Sequence, residues 1–314
     1  MAPTILVVGA TGNTGQPTVQ TLSKLLESSQ EFSGHRILAQ TRSSNGLAAQ
    51  QLAKLPHVDV VEYHWPDITA DWLRERQVVR AFIASHNQPN QFAEESTFHV
   101  AALGAGVEYV VRISTTAANV HPDFKAYYPR SHWAIEAMLG TPEFSNLRWT
   151  SLQPNLFSRL ALSSAAEAVK TFRNTGTQEP LRLILSADAP VGIINPQDVG
   201  TVAAHLLLQK DTSAHNKAKY VLNGPEDITG NQIVNMVEER IGTKIENVVF
   251  KDTSLIDQMA AATKDSKGII LTIKHAVVTM WEGKCAASTT SKEIFDIAAP
   301  KSRPTDVFEA LLAE

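Results

Sequence analysis

The sequence predicts an α/β protein whose first half forms a doubly wound parallel sheet. Short β-branched runs alternate with helical stretches there, and a strand–helix–strand order at this spacing implies parallel strands with right-handed crossovers. A glycine-rich turn directly follows the first run. The second half loses this alternation and is mostly helical, which predicts a smaller C-terminal domain beside the sheet.

Six strands are predicted in the first half, with amphipathic helical segments between them. They are Ile5–Val8, Arg36–Thr41, Val58–Tyr63, Val78–Ala84, Tyr109–Ile113 and Trp149–Gln153. In the second half we expect helices at Asn155–Phe172, Asp198–Gln209 and Thr229–Ile241, and strands at Val191–Asn195 and Lys219–Leu222. Thr229 is a suitable N-cap for its helix, and Gly242 is a suitable stop.

The composition is that of a globular protein. The 314 residues, of which 43% are hydrophobic and 19% charged, suffice for one large domain or two unequal ones. A net charge of −4 argues against duplex nucleic acid or an anionic membrane as partner. The single cysteine, Cys285, excludes an internal disulfide and thiolate zinc clusters. With no membrane span or signal peptide recognisable, we expect a cytoplasmic protein.

The strongest chemical signal is the turn from Gly9 to Gly15, which follows a strand and opens a helix. Its glycines allow a tight turn and let a pyrophosphate approach the backbone amides, while the helix N-terminus offers unpaired N–H groups. No Gly-Lys-Ser/Thr follows, so this is not a kinase-type phosphate loop. The pattern predicts a Rossmann dinucleotide site with these contacts: Gly9, Thr11, Gly12, Asn13, Thr14 and Gly15.

The end of the second predicted strand favours NADP(H) over NAD. An acidic residue there would bind the ribose 2′-hydroxyl of NAD, but the sequence continues Arg42-Ser43-Ser44. Arg42 is suited to a 2′-phosphate, and Ser43 can add a hydrogen bond. Asp67, just past the third strand, is either an adenine contact or a turn residue.

These residues resemble the NmrA-like family, an atypical branch of the short-chain dehydrogenases. Gly9–Gly15 is similar to the family's GATGxxG turn, and Trp149–Phe157 to its strand-Arg-Pro segment. Asn195–Gly200 resembles its Asp-Val-Gly helix start, and Tyr220–Glu226 its Gly-Pro-Glu turn. Arg303–Thr305, before a short helix, resembles its C-terminus. The resemblance thus extends over nearly the whole chain.

The resemblance implies a substrate cleft between two domains and a preference for NADP(H). We expect residues 1–155 to form the NADP-binding Rossmann domain and residues 156–314 the smaller substrate-binding domain, with Val191–Gln209 returning to the first. Pro154 and Asn155 would close over the nicotinamide, although Gln153 replaces the family's usual Arg. Family members include quinone and isoflavone-type reductases, redox-sensing regulators and enzymes of secondary metabolism.

The catalytic pair of typical short-chain dehydrogenases, Tyr-x-x-x-Lys, is altered. Tyr128 and His132 have the required spacing, but His replaces Lys. We expect Pro129 to be the first helical residue, which would put Tyr128 at or outside the cap. The positive end of the helix dipole would then keep His132 neutral, as a cofactor or substrate contact or an acid–base group. The alternatives are an ordinary helix histidine, and Tyr127 instead of Tyr128 as proton donor.

Further polar candidates follow the fourth and fifth predicted strands, because open α/β sheets bind ligands at the carboxyl ends of their strands. Ser85 and Gln88 should pass beside the nicotinamide ribose, and Ser114 could polarise a carbonyl or simply cap its strand. No His-x-x-x-His pair lies beside a carboxylate, so no metal site is expected.

The sequence therefore favours an NADP-dependent oxidoreductase that reduces a small carbonyl or quinone-like substrate. Two alternatives stay open: an NADP(H)-sensing binding protein with a protein partner, and a redox-neutral isomerase or cyclase on the same fold. A homodimer is compatible with each. The fold alone cannot choose among them.

Overall fold

The computed structural model describes residues 2–264 and 266–314. The strands, in chain order, are β1 (Thr4–Val8), β2 (Arg36–Thr41), β3 (Val58–Glu62), β4 (Val78–Ile83), β5 (Tyr109–Ile113), β6 (Arg148–Pro154), β7 (Leu181–Leu183), β8 (Ala218–Leu222) and β9 (Val248–Phe250). The helices are α1 (Gly15–Ser28), α2 (Leu47–Leu52), α3 (Ala70–Glu75), α4 (Gln91–Ala105), α5 (Tyr127–Leu139), α6 (Ser158–Thr175), α7 (Pro196–Leu207), α8 (Gly230–Ile241), α9 (Ser254–Ala262), α10 (Lys267–Leu271), α11 (Val278–Trp281), α12 (Lys292–Ala298) and α13 (Pro304–Ala313).

Seven strands form one parallel sheet in the order β3-β2-β1-β4-β5-β6-β8. Every residue of β1 is buried, as expected for a parallel strand covered on both faces. The order runs outward in both directions from β1 and β4, which is the arrangement of a doubly wound Rossmann sheet. The predicted fold class is confirmed.

Apolar layers cover both faces of this sheet. On one face, α1 and α7 pack together against apolar side chains of β1, β2 and β6. On the other, α3, α4 and α5 cover residues such as Leu6, Ile83 and Trp149. The segment around α7 therefore returns to the sheet, although it follows β7 in the chain.

A third apolar cluster lies outside the sheet. It joins α6, α8 and α13 to the two-stranded parallel pair β7–β9. Phe308 and Ile233 are fully buried within it. Separate cores of this kind are compatible with a second domain, but the boundary at residue 155 stays a prediction.

The segment Val191–Asn195, predicted as a strand, is not one. It makes only isolated bridges, Val191 with Ile228 and Ile194 with Phe157. Its β-branched residues are buried because the segment passes between the sheet and the third cluster. Burial alone therefore explains the apolar pattern that resembled a strand.

Close packing between α1 and α7 leads to a stability prediction. A Cβ on Gly200 would lie 2.7 Å from the Thr18 backbone nitrogen and 2.8 Å from the Thr14 carbonyl oxygen. Both neighbours are backbone atoms, so the two helices must separate. We expect Gly200→Ala to lower the free energy of unfolding by about 1–3 kcal/mol, measured by urea denaturation.

Gly104→Ala is the matched control, since this glycine also lies inside a helix. Its added Cβ would meet Ala70 Cβ at an ordinary 3.5 Å. The better helix propensity of alanine should leave stability unchanged or raise it by up to about 1 kcal/mol. Equal effects of the two substitutions would contradict the proposed helix contact.

Candidate functional site

A cleft of about 830 Å³ opens at the carboxyl ends of the central strands. Its floor is formed where β1, β4, β5 and β6 end, at Gly9, Ala84, Ile113 and Pro154. The order of the sheet reverses between β1 and β4, and ligands of doubly wound sheets bind at this switch point. The cleft continues from the glycine-rich turn to α9 and α11.

The glycine-rich turn is a compact backbone cradle. Gly9 has a left-handed φ of +75°, which favours glycine, and the Gly12 N–H donates to its carbonyl at 2.9 Å. A Cβ on Gly15 would lie only 2.1 Å from the same carbonyl oxygen. Gly15 is therefore required by the turn itself, and it does not line the cleft. Gln40 fastens the turn to β2, since its Oε1 accepts the Gly9 N–H at 3.0 Å.

Arg42 is the cation at the β2 end of the cleft. It is exposed, lines the cavity, and has no ion-pair partner within residues 2–264 and 266–314. Ser43 and Asp67 do not line the cleft. Asp67 Oδ2 lies 3.1 Å from His64 Nδ1, and the Ser43 N–H donates to Thr41 Oγ1, so both belong to local turns.

The loop after β4 runs along the middle of the cleft. Ser85, Asn87 and Gln88 all line it. The Ser85 hydroxyl donates to Glu95 Oε2 at 2.5 Å, which directs its proton away from the cavity. Asn87 is exposed there, and its backbone carbonyl accepts the hydroxyl of Tyr127.

Helix α5 begins earlier than predicted. It starts at Tyr127, so Tyr128 lies inside the first turn and His132 in the second. Pro129 is tolerated because N–H groups of a first helical turn lack intrahelical acceptors. The Tyr128 and His132 rings pack edge to face, with centroids 6.4 Å apart. Both line the cleft, whereas Tyr127 does not.

Behind His132 lies a charged network that sequence reasoning missed. Arg112 of β5 is fully buried, and its Nε donates to Glu95 Oε1 at 2.7 Å. Its Nη1 donates to Ser151 Oγ at 2.9 Å and lies 3.4 Å from Glu136 Oε1. Its Nη2 lies 2.8 Å from His132 Nδ1. An arginine inside the otherwise apolar run Tyr109–Ile113 was the available signal.

The network sets the charge of its members. Burial, together with the adjacent Arg112 cation, lowers the pKa of His132 to about 3. Burial alone would raise the pKa of Glu95, but Arg112 and His99 hold it well below its usual range. The pKa of Glu136 is lowered as well, by Arg112 and Ser151 against the effect of burial. Burial also lowers the pKa of His99, so near neutral pH the network contains two carboxylates, one guanidinium and two neutral imidazoles.

Three more predicted residues border this region. Tyr128 is partly buried, and burial raises its pKa, so its phenol keeps its proton. The Ser114 hydroxyl is buried, and its interaction with Glu136 helps to lower the pKa of that carboxyl group. Asn155 donates through Nδ2 to the carbonyl of Cys285 at 2.9 Å, and it lines the cleft beside Pro154.

The outer part of the cleft is apolar. Eleven side chains form it: Leu156, Phe157, Leu160, Ile184, Leu255, Ile256, Met259, Ile273, Ala276, Val277 and Met280. Leu160, Leu255 and Met259 are exposed by nearly half of their surface. Such a surface favours a ligand with its own apolar area.

Within the described residues there is no cluster of His, Cys, Asp or Glu that could hold a metal ion. Nor does any described helix have the length and apolar character needed to cross a membrane.

These features define a Rossmann-type α/β protein with a glycine-rich turn at the switch point of its sheet. Residues 1–278 match the model of the NmrA-like family, and the chain belongs to that family. The resemblance seen in the sequence is thereby confirmed.

Three relatives illustrate what the chain is similar to. A (4-alkanoyl-5-oxo-2,5-dihydrofuran-3-yl)methyl phosphate reductase of Streptomyces griseus is 28% identical over 228 residues, 73% of this chain and 70% of that protein. An NADPH-dependent quinone oxidoreductase of Escherichia coli, solved with NADPH, superposes with a TM-score of 0.71 at 22% identity, covering 98% and 99% of the two chains. NmrA, a negative transcriptional regulator, gives 0.64 at 17% identity, covering 100% and 92%.

The neutral state of His132 is open to direct measurement. We expect its imidazole signals in a histidine-selective NMR titration to stay constant from pH 8 to 5, whereas the ring in the urea-unfolded chain titrates near 6.5. The unfolded state then binds the extra proton, so this residue makes stability fall below pH 6.5, by up to about 1.4 kcal/mol per pH unit. A folded-state midpoint above pH 5 would contradict the buried contact with Arg112.

Proposed function

We propose that this chain binds NADP(H) in the cleft and acts as an oxidoreductase that reduces a small carbonyl or quinone-like substrate. The observation that carries the proposal is the continuity of the glycine-rich turn with an apolar lobe through a middle section of polar side chains. One elongated ligand can thus be bound at its phosphates by the turn while its other end meets a second, apolar molecule.

The glycine-rich turn fits a pyrophosphate by its shape. A Cβ at Gly9 would lie 3.0 Å from the Ala84 carbonyl, so the backbone is already as close as it can be to β4. Thr11, Asn13 and Thr14 of the same turn line the cavity with short polar groups. The partial positive charge at the N-terminus of α1 favours the same ligand.

Arg42 supports a preference for the phosphorylated dinucleotide. Among residues 2–264 and 266–314 it has no ion-pair partner, and a guanidinium can bind a 2′-phosphate through two parallel hydrogen bonds. The nearest carboxylate in β3, Glu62, accepts from the Ser44 N–H at 2.8 Å. Its lowered pKa, caused by both Ser44 hydrogen bonds, keeps it a carboxylate engaged with that loop.

The groups at the middle of the cleft supply orientation and a proton. When bound, the cofactor would supply a hydride to the substrate. Tyr128 is the phenol that faces the cavity, and its raised pKa keeps it protonated until the substrate oxygen gains charge. The buried Ser114 hydroxyl lies beside Glu136, and it can turn from that carboxylate toward the same oxygen. The apolar lobe would hold the substrate and exclude water.

Two observations support the alternative that the protein is an NADP(H) sensor. The regulator NmrA shares the fold, and no Lys occupies position 132, where the typical short-chain pair has one. A sensor would bind NADP(H) with no turnover and pass its state to a protein partner. A redox-neutral isomerase or cyclase would turn over without consuming the cofactor.

Arg42→Ala tests the cofactor assignment. Loss of the guanidinium should weaken NADPH binding by about tenfold or more and leave NADH binding nearly unchanged, because only NADPH carries the 2′-phosphate. Fluorescence titration with each nucleotide measures both constants. Arg173→Ala, which removes an exposed arginine at the end of α6, is the control. A parallel loss for both nucleotides would count against a 2′-phosphate contact.

Tyr128→Phe tests turnover. In an NADPH oxidation assay with a quinone and aldehyde panel, we expect kcat to fall by about 10²-fold or more while NADPH affinity stays within about twofold. Tyr220→Phe is the matched control, since that hydroxyl lies 2.8 Å from His215 Nδ1 and the residue does not line the cleft.

The same assay separates the alternatives. NADPH binding without oxidation by any member of the panel would favour the sensor or the redox-neutral enzyme. Failure to bind either nucleotide would end the proposal. Full activity of Tyr128→Phe would be compatible with a reductase but would show that the Tyr128 hydroxyl is not the proton donor.

A further inference from the structure

A chain of hydrogen bonds with only one permitted direction runs from the buried core into the cleft. It begins at Arg112, whose guanidinium keeps its charge in proteins and can only donate. Arg112 Nη2 lies 2.8 Å from His132 Nδ1, and the Arg112 side chain is fully buried. His132 Nδ1 must therefore accept, which means that it carries no proton.

The second step follows from the neutral ring. An imidazole that is unprotonated at Nδ1 and neutral carries its hydrogen on Nε2. His132 Nε2 lies 3.1 Å from Asn87 Oδ1, and it donates to this oxygen. The Gln91 amide nitrogen lies 3.2 Å from Nδ1 and 3.3 Å from Nε2, so it does not distinguish the two tautomers, and the assignment rests on Arg112. The low pKa of His132 supports the neutral ring.

The third step orients the amide of Asn87. Assignments of amide oxygen and nitrogen depend on the hydrogen-bond network, and here His132 requires the oxygen on its own side. The Asn87 Nδ2 group, with its two N–H donors, then points away from His132. Asn87 is exposed and lines the cleft, and its backbone carbonyl is anchored by the Tyr127 hydroxyl. Within residues 2–264 and 266–314, no acceptor for Nδ2 is found.

We propose that the side-chain amide of Asn87 donates a hydrogen bond to a ligand in the cleft. Arg112 and His132 are the positioning residues that fix the orientation of this amide. This proposal rests on the proposed function, and it gives a role to a residue that lies between the glycine-rich turn and the apolar lobe. The ligand group that it fits is a neutral acceptor oxygen, a carbonyl or hydroxyl oxygen of the cofactor or of the substrate. His132 then acts through Asn87 and exchanges no proton with the ligand.

The first test is spectroscopic and needs no ligand. A long-range ¹H–¹⁵N correlation spectrum of the wild-type protein at pH 7 distinguishes the two neutral tautomers and the charged ring. We expect the Nε2–H tautomer for His132, assigned by comparison with His132→Gln. An Nδ1–H tautomer or a charged ring would overturn the proposal, whatever the protein binds.

The second test replaces the donor but keeps the acceptor. Asn87→Asp retains an oxygen for His132 and turns the Nδ2 group into an oxygen that cannot donate. We expect at least about a tenfold loss, because a donor is exchanged for a group that repels the ligand oxygen. Loss of NADPH affinity would assign the oxygen to the cofactor. Unchanged NADPH affinity with a tenfold lower kcat/KM would assign it to the substrate.

The matched pair at position 132 tests the relay. His132→Gln can keep the polarity, since its carbonyl accepts from Arg112 and its amide donates to Asn87, but glutamine cannot act as an acid or base. His132→Leu breaks the chain. We expect His132→Leu to reproduce the loss seen with Asn87→Asp, and His132→Gln to restore most of it. Equal losses in His132→Gln and His132→Leu would overturn the proposal. Asn87→Leu removes the donor without adding a charge, and unchanged binding and turnover in both Asn87→Asp and Asn87→Leu would overturn it as well. A wild-type protein that binds no NADPH would instead refute the proposed function and leave the tautomer result to stand alone.

Discussion

Arg112 brings a permanent positive charge into the interior of the sheet, where its side chain is fully buried. A cation in such surroundings is tolerated only when nearby groups accept its hydrogen bonds and balance its charge. Glu95 from α4, Glu136 from α5 and Ser151 from β6 meet that demand. The two helices are thereby held in one position against the sheet. Lys219, at the partly exposed end, lies 3.1 Å from Glu136 Oε2 and compensates the second carboxylate.

The glycine-rich turn at the other end of the cleft is held by different means, namely close backbone packing. The turn from Gly9 to Gly15 folds back on itself with no room for a Cβ at Gly15. Just beyond it, α1 lies against Gly200 of α7, a helix that comes from the second half of the chain. The geometry of the glycine-rich turn thus depends on residues nearly two hundred positions away, whereas the orientation of the polar middle section depends on buried charge.

The sequence predicted those parts that local patterns encode. Alternation of apolar runs predicted the parallel sheet, and the glycine spacing predicted the turn at the end of β1. The order of strands, the burial of Val191–Asn195 without a ladder and the early start of α5 depend on tertiary packing, which no local pattern contains. The network is the clearest case: Glu95, Arg112 and Glu136 lie on separate elements and meet only when β5 is covered by α4 and α5.

This network also gives a physical reason for the His at position 132. A lysine there, as in the typical short-chain pair, would place a second cation against the buried Arg112, where the low local dielectric constant strengthens the repulsion. Glu95 and Glu136 already balance Arg112 and Lys219, so a further positive charge would be uncompensated. A neutral imidazole avoids this cost, because its Nδ1 accepts a hydrogen bond from the guanidinium and its Nε2–H donates one to Asn87. The identity of residue 132 is therefore coupled to Arg112: a neutral side chain at position 132 can accept from the buried guanidinium, whereas a lysine would add a charge that no nearby carboxylate balances.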